Sequence, residues 1–229
     1  MPRFFFLLLV VGLLVTTVVP RSAQAGSVTG AVLNPSGEKS HNVAGPWPEI
    51  FNVWEGLSRE RFALGPRIGL QVYPFSWSVG LNVRARIMER GKVSLAMLVV
   101  PSFSMAGFGH RGIHYPDNYR FGQSLTFRPT MGPGANVGIL ATIDVSPTLH
   151  INLALENHFS FWILRLPNGA TGWWFEWPVL LAGGVEYDLS DTVSLFGRLG
   201  GGPSVAFAGS GTALGVHFDA HFGAQFRYR

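Results

Sequence analysis

Three residues at alternate positions of one segment, Glu156, His158 and Ser160 in "ENHFSF", hold the parts of an acyl-transfer site. A hydroxyl becomes a usable nucleophile when an imidazole takes its proton and a carboxylate holds that imidazole in place. Nearer the C-terminus, "HFDAH" puts His217, Asp219 and His221 at i, i+2 and i+4. Imidazole and carboxylate both ligate zinc. On a strand these three share one face, roughly 7 Å apart per step along the backbone. Spacing does not aim side chains, and another strand would have to contribute. Hydrogen bonds from the histidines to nearby carboxylates are therefore the expected use, and a metal site is the alternative. No cofactor is expected. A third set holds Arg84, Arg86, Arg128 and Arg198, with Arg67, opposite Glu156, Glu176, Glu186 and Asp219, with Asp144. Its meaning depends on what encloses it.

The elements that position these residues show a period of two. In "ALGVHFDAHFGAQFRYR", Leu214, Val216, Phe218, Ala220, Phe222, Ala224, Phe226 and Tyr228 alternate with His217, Asp219, His221, Gln225 and Arg227. The same alternation runs through Arg67–Val72, Val79–Ile87, Val93–Met105, Thr130–Val145, Leu149–Ile163 and Trp174–Asp188, and more loosely through "TVSLFGRLGGG". Apolar residues at every second position mark strands with two unlike faces. With the closing stretch, that makes eight strands from about residue 62. "ERGK", "SPT" and "LSD" make short connections, and 107–122 a long one.

Composition decides which face is wet. The chain is 47% hydrophobic and only 13% charged, with 29 glycines. A soluble domain carries about 25% charged residues. The polar face here is mostly Gly, Ser, Thr, Asn and His, which suits a narrow lumen, and the apolar face suits lipid. Closed barrels satisfy every backbone group and so can span a membrane with strands of about 9–11 residues. Trp77, Phe159, Phe161, Trp162, Trp173, Trp174 and Trp177 cluster near strand ends, as an interfacial girdle does.

Residues 1–25 read as a secretory signal peptide: Arg3, an apolar run from Phe4 to Val19, then Ala23-Gln24-Ala25 before the cut. Losing Arg3 and Arg21 takes the formal charge from +4 to +2, too little to suggest nucleic acid. With no cysteine, disulfides and thiolate metal sites are excluded. Residues 26–61 read as a flexible lead-in, with a short helix over 48–57 suggested by Ile50, Val53, Trp54 and Leu57.

The last strand, with Phe222, Phe226 and Tyr228, resembles the C-terminal sorting signal of bacterial outer-membrane proteins. The hairpins "VEYDLSDTVSLFGRLG" and "ATIDVSPTLHINLALE" resemble those of OmpA-like and OmpX-like barrels. The expected fold is thus all-β, an eight-stranded antiparallel transmembrane β-barrel over 62–229 with a short periplasmic extension. The resemblance implies export to the outer membrane of a Gram-negative cell, assembly by the barrel-assembly machinery, and contact with outer-membrane lipid and lipopolysaccharide.

Eight strands enclose a lumen that side chains fill, so a diffusion pore is not expected. Inward charges in so narrow a space must pair. The expected role is non-enzymatic: structural, or surface-binding through loops. The loop residues concerned are His110, Arg111, His114, Tyr115, Tyr119 and Arg120. The "HFS" pattern also resembles the His-x-Ser motif of outer-membrane lipid A deacylases. That likeness implies a second reading as an acyl-hydrolase, with His158 as base, Ser160 as nucleophile and Glu156 orienting.

Overall fold

The computed structural model describes residues 30–34, 36–47, 49–71, 76–106, 128–165, 169–208 and 211–228. Eleven strands follow one another: β1 (Lys39–Trp47), β2 (Glu49–Glu55), β3 (Leu57–Arg59), β4 (Phe62–Gln71), β5 (Ser76–Arg90) and β6 (Val93–Ala106). Then come β7 (Arg128–Asp144), β8 (Leu149–Arg165), β9 (Thr171–Ser190), β10 (Val193–Ala208) and β11 (Gly211–Tyr228). Each pairs antiparallel with its neighbours. β1 pairs β11 on one side and β2 on the other, and β2 pairs β4, which closes the sheet on itself. The fold is a closed antiparallel β-barrel.

The ring has ten strands rather than the eight expected. β3 lies outside it and pairs β4 alone, in line with β2 past a one-residue register step. Gly65 of β4 marks that step: a Cβ there would lie 1.5 Å from the carbonyl oxygen of Trp54. The additional strands come from residues 39–59, which read as a lead-in with a helix. Ile50, Val53 and Trp54 have helical spacing. The same stretch also alternates, with Phe51, Val53 and Glu55 buried while Ile50 is exposed. Without β1 and β2 the free edges of β11 and β4 would present unpaired backbone groups to lipid, at several kcal/mol per group. Edge pairing therefore outweighs a local helical pattern. Phe51 and Val53 also pack with Ala44 and Phe196.

From β5 onward the two faces follow the sequence alternation. Leu181, Leu214 and Phe218 stand outward at 69%, 74% and 65% exposure. Their neighbours Ala182, Ala213 and Asp219 are buried. Outside, Phe159 stacks near Trp177 and Phe161 near Trp173, toward the long-connection end of β8–β9. Trp174 departs from the expected girdle: its parity turns it inward, where it is buried.

The two short hairpins share a local device. In β7–β8 the Leu149 amide donates to Ser146 Oγ at 3.1 Å. In β9–β10 the Val193 amide donates to Ser190 Oγ at 3.2 Å. Both turns read Asp-x-Ser-x-Thr. A serine hydroxyl that accepts from a nearby amide stands in for a backbone turn bond.

Candidate functional site

The site is the barrel interior. The inward charges form three separate clusters rather than one continuous network. In the first, Glu55 and Arg84 are both fully buried. Arg84 Nε donates to Glu55 Oε1 at 2.9 Å and Nη2 to Oε2 at 2.7 Å. A bidentate guanidinium–carboxylate pair is the arrangement that best repays the desolvation of two charges. Asn82 and Asn34 donate to the same carboxylate, each at 3.0 Å.

Arg84 also holds a piece of main chain. Its Nη1 donates to the carbonyls of Gly30 at 2.8 Å and Val32 at 3.2 Å. Gly30–Asn34 is buried inside the barrel. At one end Asn34 bonds Ser40 of β1, and Ser58 of β3 donates to its carbonyl. At the other end the Ala31 amide donates to Thr142 Oγ1 of β7 at 2.7 Å, and Thr142 donates to Asn152 of β8. In the order β2-β1-β11-β10-β9-β8-β7-β6-β5-β4, closed by β2–β4, β7 stands opposite β1. The segment is therefore a strap across the full diameter. Ala31 packs among the inward residues Ala96, Leu98, Val100, Leu140, Ala154 and Ala182.

The second cluster centres on Arg198 of β10. It donates to Glu156 Oε1 of β8 at 2.5 Å and to Asp219 Oδ2 of β11 at 3.2 Å. Glu156 also accepts from Asn136 at 2.7 Å and lies 2.9 Å from His158 Nε2. Gly200 leaves room for Asp219, since a Cβ there would lie 2.1 Å from its Oδ1. Glu176 stands apart and accepts from Ser204 at 3.1 Å.

The third cluster lies at the short-turn end. His150 Nδ1 is 2.7 Å from Asp144 Oδ1, and its Nε2 is 3.3 Å from Asp188 Oδ2. Ser194 donates to Asp188, and Arg227 reaches Asp188, Ser194 and the Ser190 carbonyl at 2.9–3.3 Å. These bonds tie the end of β11 to the two Asp-x-Ser-x-Thr hairpins.

Several sequence candidates find their places here. The structure joins Glu156 to His158 but, among the described residues, forms no hydrogen bond between His158 and Ser160. Ser160 follows on the same inward face, opposite Gly134 and Glu176 in register. Asp219 lies 3.8 Å from His221, whose ring meets Phe51 edge-on. Among the described residues, no three His, Asp or Glu side chains converge to hold a metal ion. Glu186 accepts from Asn152 at 3.3 Å. Arg86 pairs with Glu89 at 2.6 Å, at the short-turn end of β5. Arg67 covers the Phe51 ring at 4.4 Å. The side chain of Arg128 and the loop residues His110, Arg111, His114, Tyr115, Tyr119 and Arg120 lie outside the described residues.

Sequence reading missed Glu55, the strap, and the grouping of His150, Asp188, Ser194 and Arg227. The repeated "DVSPTLH" and "DLSDTVS" carry the signal for the last group. Each Asp bonds the residue six positions on, His150 in one hairpin and Ser194 in the other.

The barrel is similar to solved outer-membrane barrels. The outer membrane protease OmpT from Escherichia coli aligns at 6% identity and a TM-score of 0.41, over 88% of this chain and 100% of that one. The KdgM porin in complex with disordered oligogalacturonate aligns at 9% identity and 0.38, over 84% and 99%. The CymD monoaromatic hydrocarbon channel aligns at 12% identity and 0.39, over 85% and 72%. No family model matches the chain, and no curated protein matches it. No residue role or substrate is carried from these proteins to this chain.

Proposed function

We propose that this chain is an outer-membrane barrel protein that does not admit free diffusion and acts at its outer surface without catalysing a reaction. The strap carries the reading. Ten strands spaced about 4.8 Å apart and tilted about 40° enclose a ring roughly 20 Å across between backbones, against roughly 16 Å for eight. The difference of about 4 Å is close to the ~4.8 Å that one extra extended chain occupies. Gly30–Asn34 is that chain, and it lies across the lumen beside the Glu55–Arg84 pair. The outward apolar band supports the membrane setting, since water does not tolerate so continuous an apolar surface.

With the lumen closed, recognition falls to the loops at the end away from the chain termini. His110, Arg111, His114, Tyr115, Tyr119 and Arg120 give the 107–122 loop cations and aromatic rings suited to lipopolysaccharide or another cell's surface sugars. The test has two parts. The protein should fractionate with the outer membrane and shift in gel mobility on heating. Vesicles containing it should swell in arabinose or stachyose no faster than protein-free vesicles. Rapid arabinose-driven swelling would refute the closed barrel, and a soluble periplasmic protein would refute the setting.

One observation favours a second reading, a lipid acyl-hydrolase: Glu156 and His158 form an imidazole–carboxylate pair on the face that carries Ser160. Mass spectrometry of lipid A and phospholipids from cells expressing wild type or Ser160→Ala decides it. Loss of an acyl chain with the wild type alone would establish the enzyme, and identical profiles would eliminate it.

A further inference from the structure

The strap is held by means that differ from those of the wall. Its anchors grip main chain more than side chains. Arg84 takes the carbonyls of Gly30 and Val32, Thr142 takes the Ala31 amide, and Ser58 takes the Asn34 carbonyl. None of these bonds belongs to the strand ladders, so the strap can leave without breaking a pair of the ring. Its seat is cut closely. A Cβ on Gly30 would lie 2.6 Å from Asn152 Oδ1 and 2.8 Å from Thr142 Oγ1. Opposite Ala31 the wall is built from small residues, Ala96, Ala154 and Ala182, which leave a chain-sized space rather than filling it.

Beyond the strap, toward the long connections, the inward residues shrink. Gly80, Ser102, Ser104, Gly134, Gly200 and Gly202 line that half and are part-exposed, whereas the strap half is buried throughout. A barrel wall with small inward residues leaves a water-sized passage, and here the strap and its anchors interrupt it.

The inward charge is unbalanced. Glu55 is matched by Arg84 and Asp188 by Arg227. Glu156 and Asp219 share Arg198. Glu176 and Glu186 accept from the neutral side chains of Ser204 and Asn152. Among the described residues the inward carboxylates therefore outnumber the inward arginines, even with Arg67 counted. Carboxylates in excess along a pore wall favour cations.

We infer that the barrel is a latent cation channel, and that Gly30–Asn34 is its built-in plug, latched by Arg84 and Thr142. The inference rests on the reading that the intact chain is closed. A force or partner acting on the residues before Gly30 would draw the plug out toward the termini without unzipping a strand, because β1 begins only at Lys39 and pairs β11 from there. The passing species would be a small hydrated cation, since Glu55 and Arg84 stay on the wall and keep the opening narrow.

The experiment is single-channel recording in planar bilayers under a potassium chloride gradient. Three refolded proteins are compared: the chain from residue 26, the same chain lacking residues 26–34, and the full-length chain with Gly30→Val. Heat-modifiable mobility shows that each is folded. The intact chain should be silent. The truncated chain should give discrete steps with a reversal potential of the sign set by potassium. Gly30→Val, which keeps every wall residue, should give intermittent steps, so it stands in if the truncated chain fails to fold. A folded truncated chain that stays silent, a silent Gly30→Val, or an anion-selective reversal potential would overturn the plug. Sustained steps from the intact chain would instead overturn the closed-barrel reading, a separate outcome.

Discussion

The Glu55–Arg84 pair offers the sharpest test of how the interior is held. Both side chains are fully buried, and their two short bonds run between β2 and β5, which are not neighbours in the ring. Arg84→Met keeps the bulk and removes the charge. It leaves the Glu55 carboxylate buried, supported only by the neutral donors Asn34, Ser40 and Asn82. Breaking one side of a buried pair costs about 3–5 kcal/mol. The two lost bonds to the strap carbonyls add about 1–3 kcal/mol together. Glu55→Gln leaves a buried guanidinium that still reaches Gly30 and Val32, so it should cost about 3–4 kcal/mol. The double variant buries no charge, and its cost should be about 3–5 kcal/mol, well below the sum of the single costs. The coupling of at least about 2 kcal/mol is the quantity to measure, by urea unfolding of the refolded protein in vesicles, followed by tryptophan fluorescence. Additive single costs, or an Arg84→Met variant within about 1 kcal/mol of wild type, would refute the account of Arg84 as the joint between wall and strap.

Two further predictions follow from the wall. Leu181→Arg places a cation on the most exposed outward position of β9 and should lower folding stability in vesicles by about 2–4 kcal/mol. An unchanged urea midpoint would show that this face does not meet hydrocarbon. Gly132→Ala would set a Cβ 1.5 Å from the Phe161 carbonyl oxygen, beside the register shift in β7–β8. The contact is with backbone, so the strands must part, and the heat-modifiable folded band should be largely lost. A normal yield of folded barrel would show that the β7–β8 pairing tolerates an outward shift there.

What the sequence disclosed depended on how local each cause is. From Trp77 onward the strands and their faces follow from alternation, because one face meets lipid and the other the lumen at every second residue. Inward charges were legible by parity in the same way. Their partners were not, since parity gives the face and not the height or the neighbour. Arg198 meets Glu156 from two strands away, and Arg227 meets Asp188 across a hairpin to which it does not belong. Arg84 was legible as an inward charge, whereas Glu55 lay in a stretch whose apolar residues also match a helix. Nothing local in "PEIFNVWE" decides between the two; the open edges of β4 and β11 decide, and those belong to the whole sheet.

The two departures from the expected barrel, two more strands in the ring and a strap inside it, have one physical cause. Adding β1 and β2 closes the ring without a free edge, but it widens the interior beyond what the inward side chains span. Alanines and glycines face the gap, and a void lined by them would forfeit contact energy along its whole length. The residues that precede β1 fill it. Glu55 links the two events: it sits on β2, one of the strands that widen the ring, and with Arg84 and Asn34 it fixes the segment that fills the widened space. On this account strap and hairpin must act together. A barrel without residues 39–59 would have no room for the strap, and a barrel with them but without Gly30–Asn34 would have an opening.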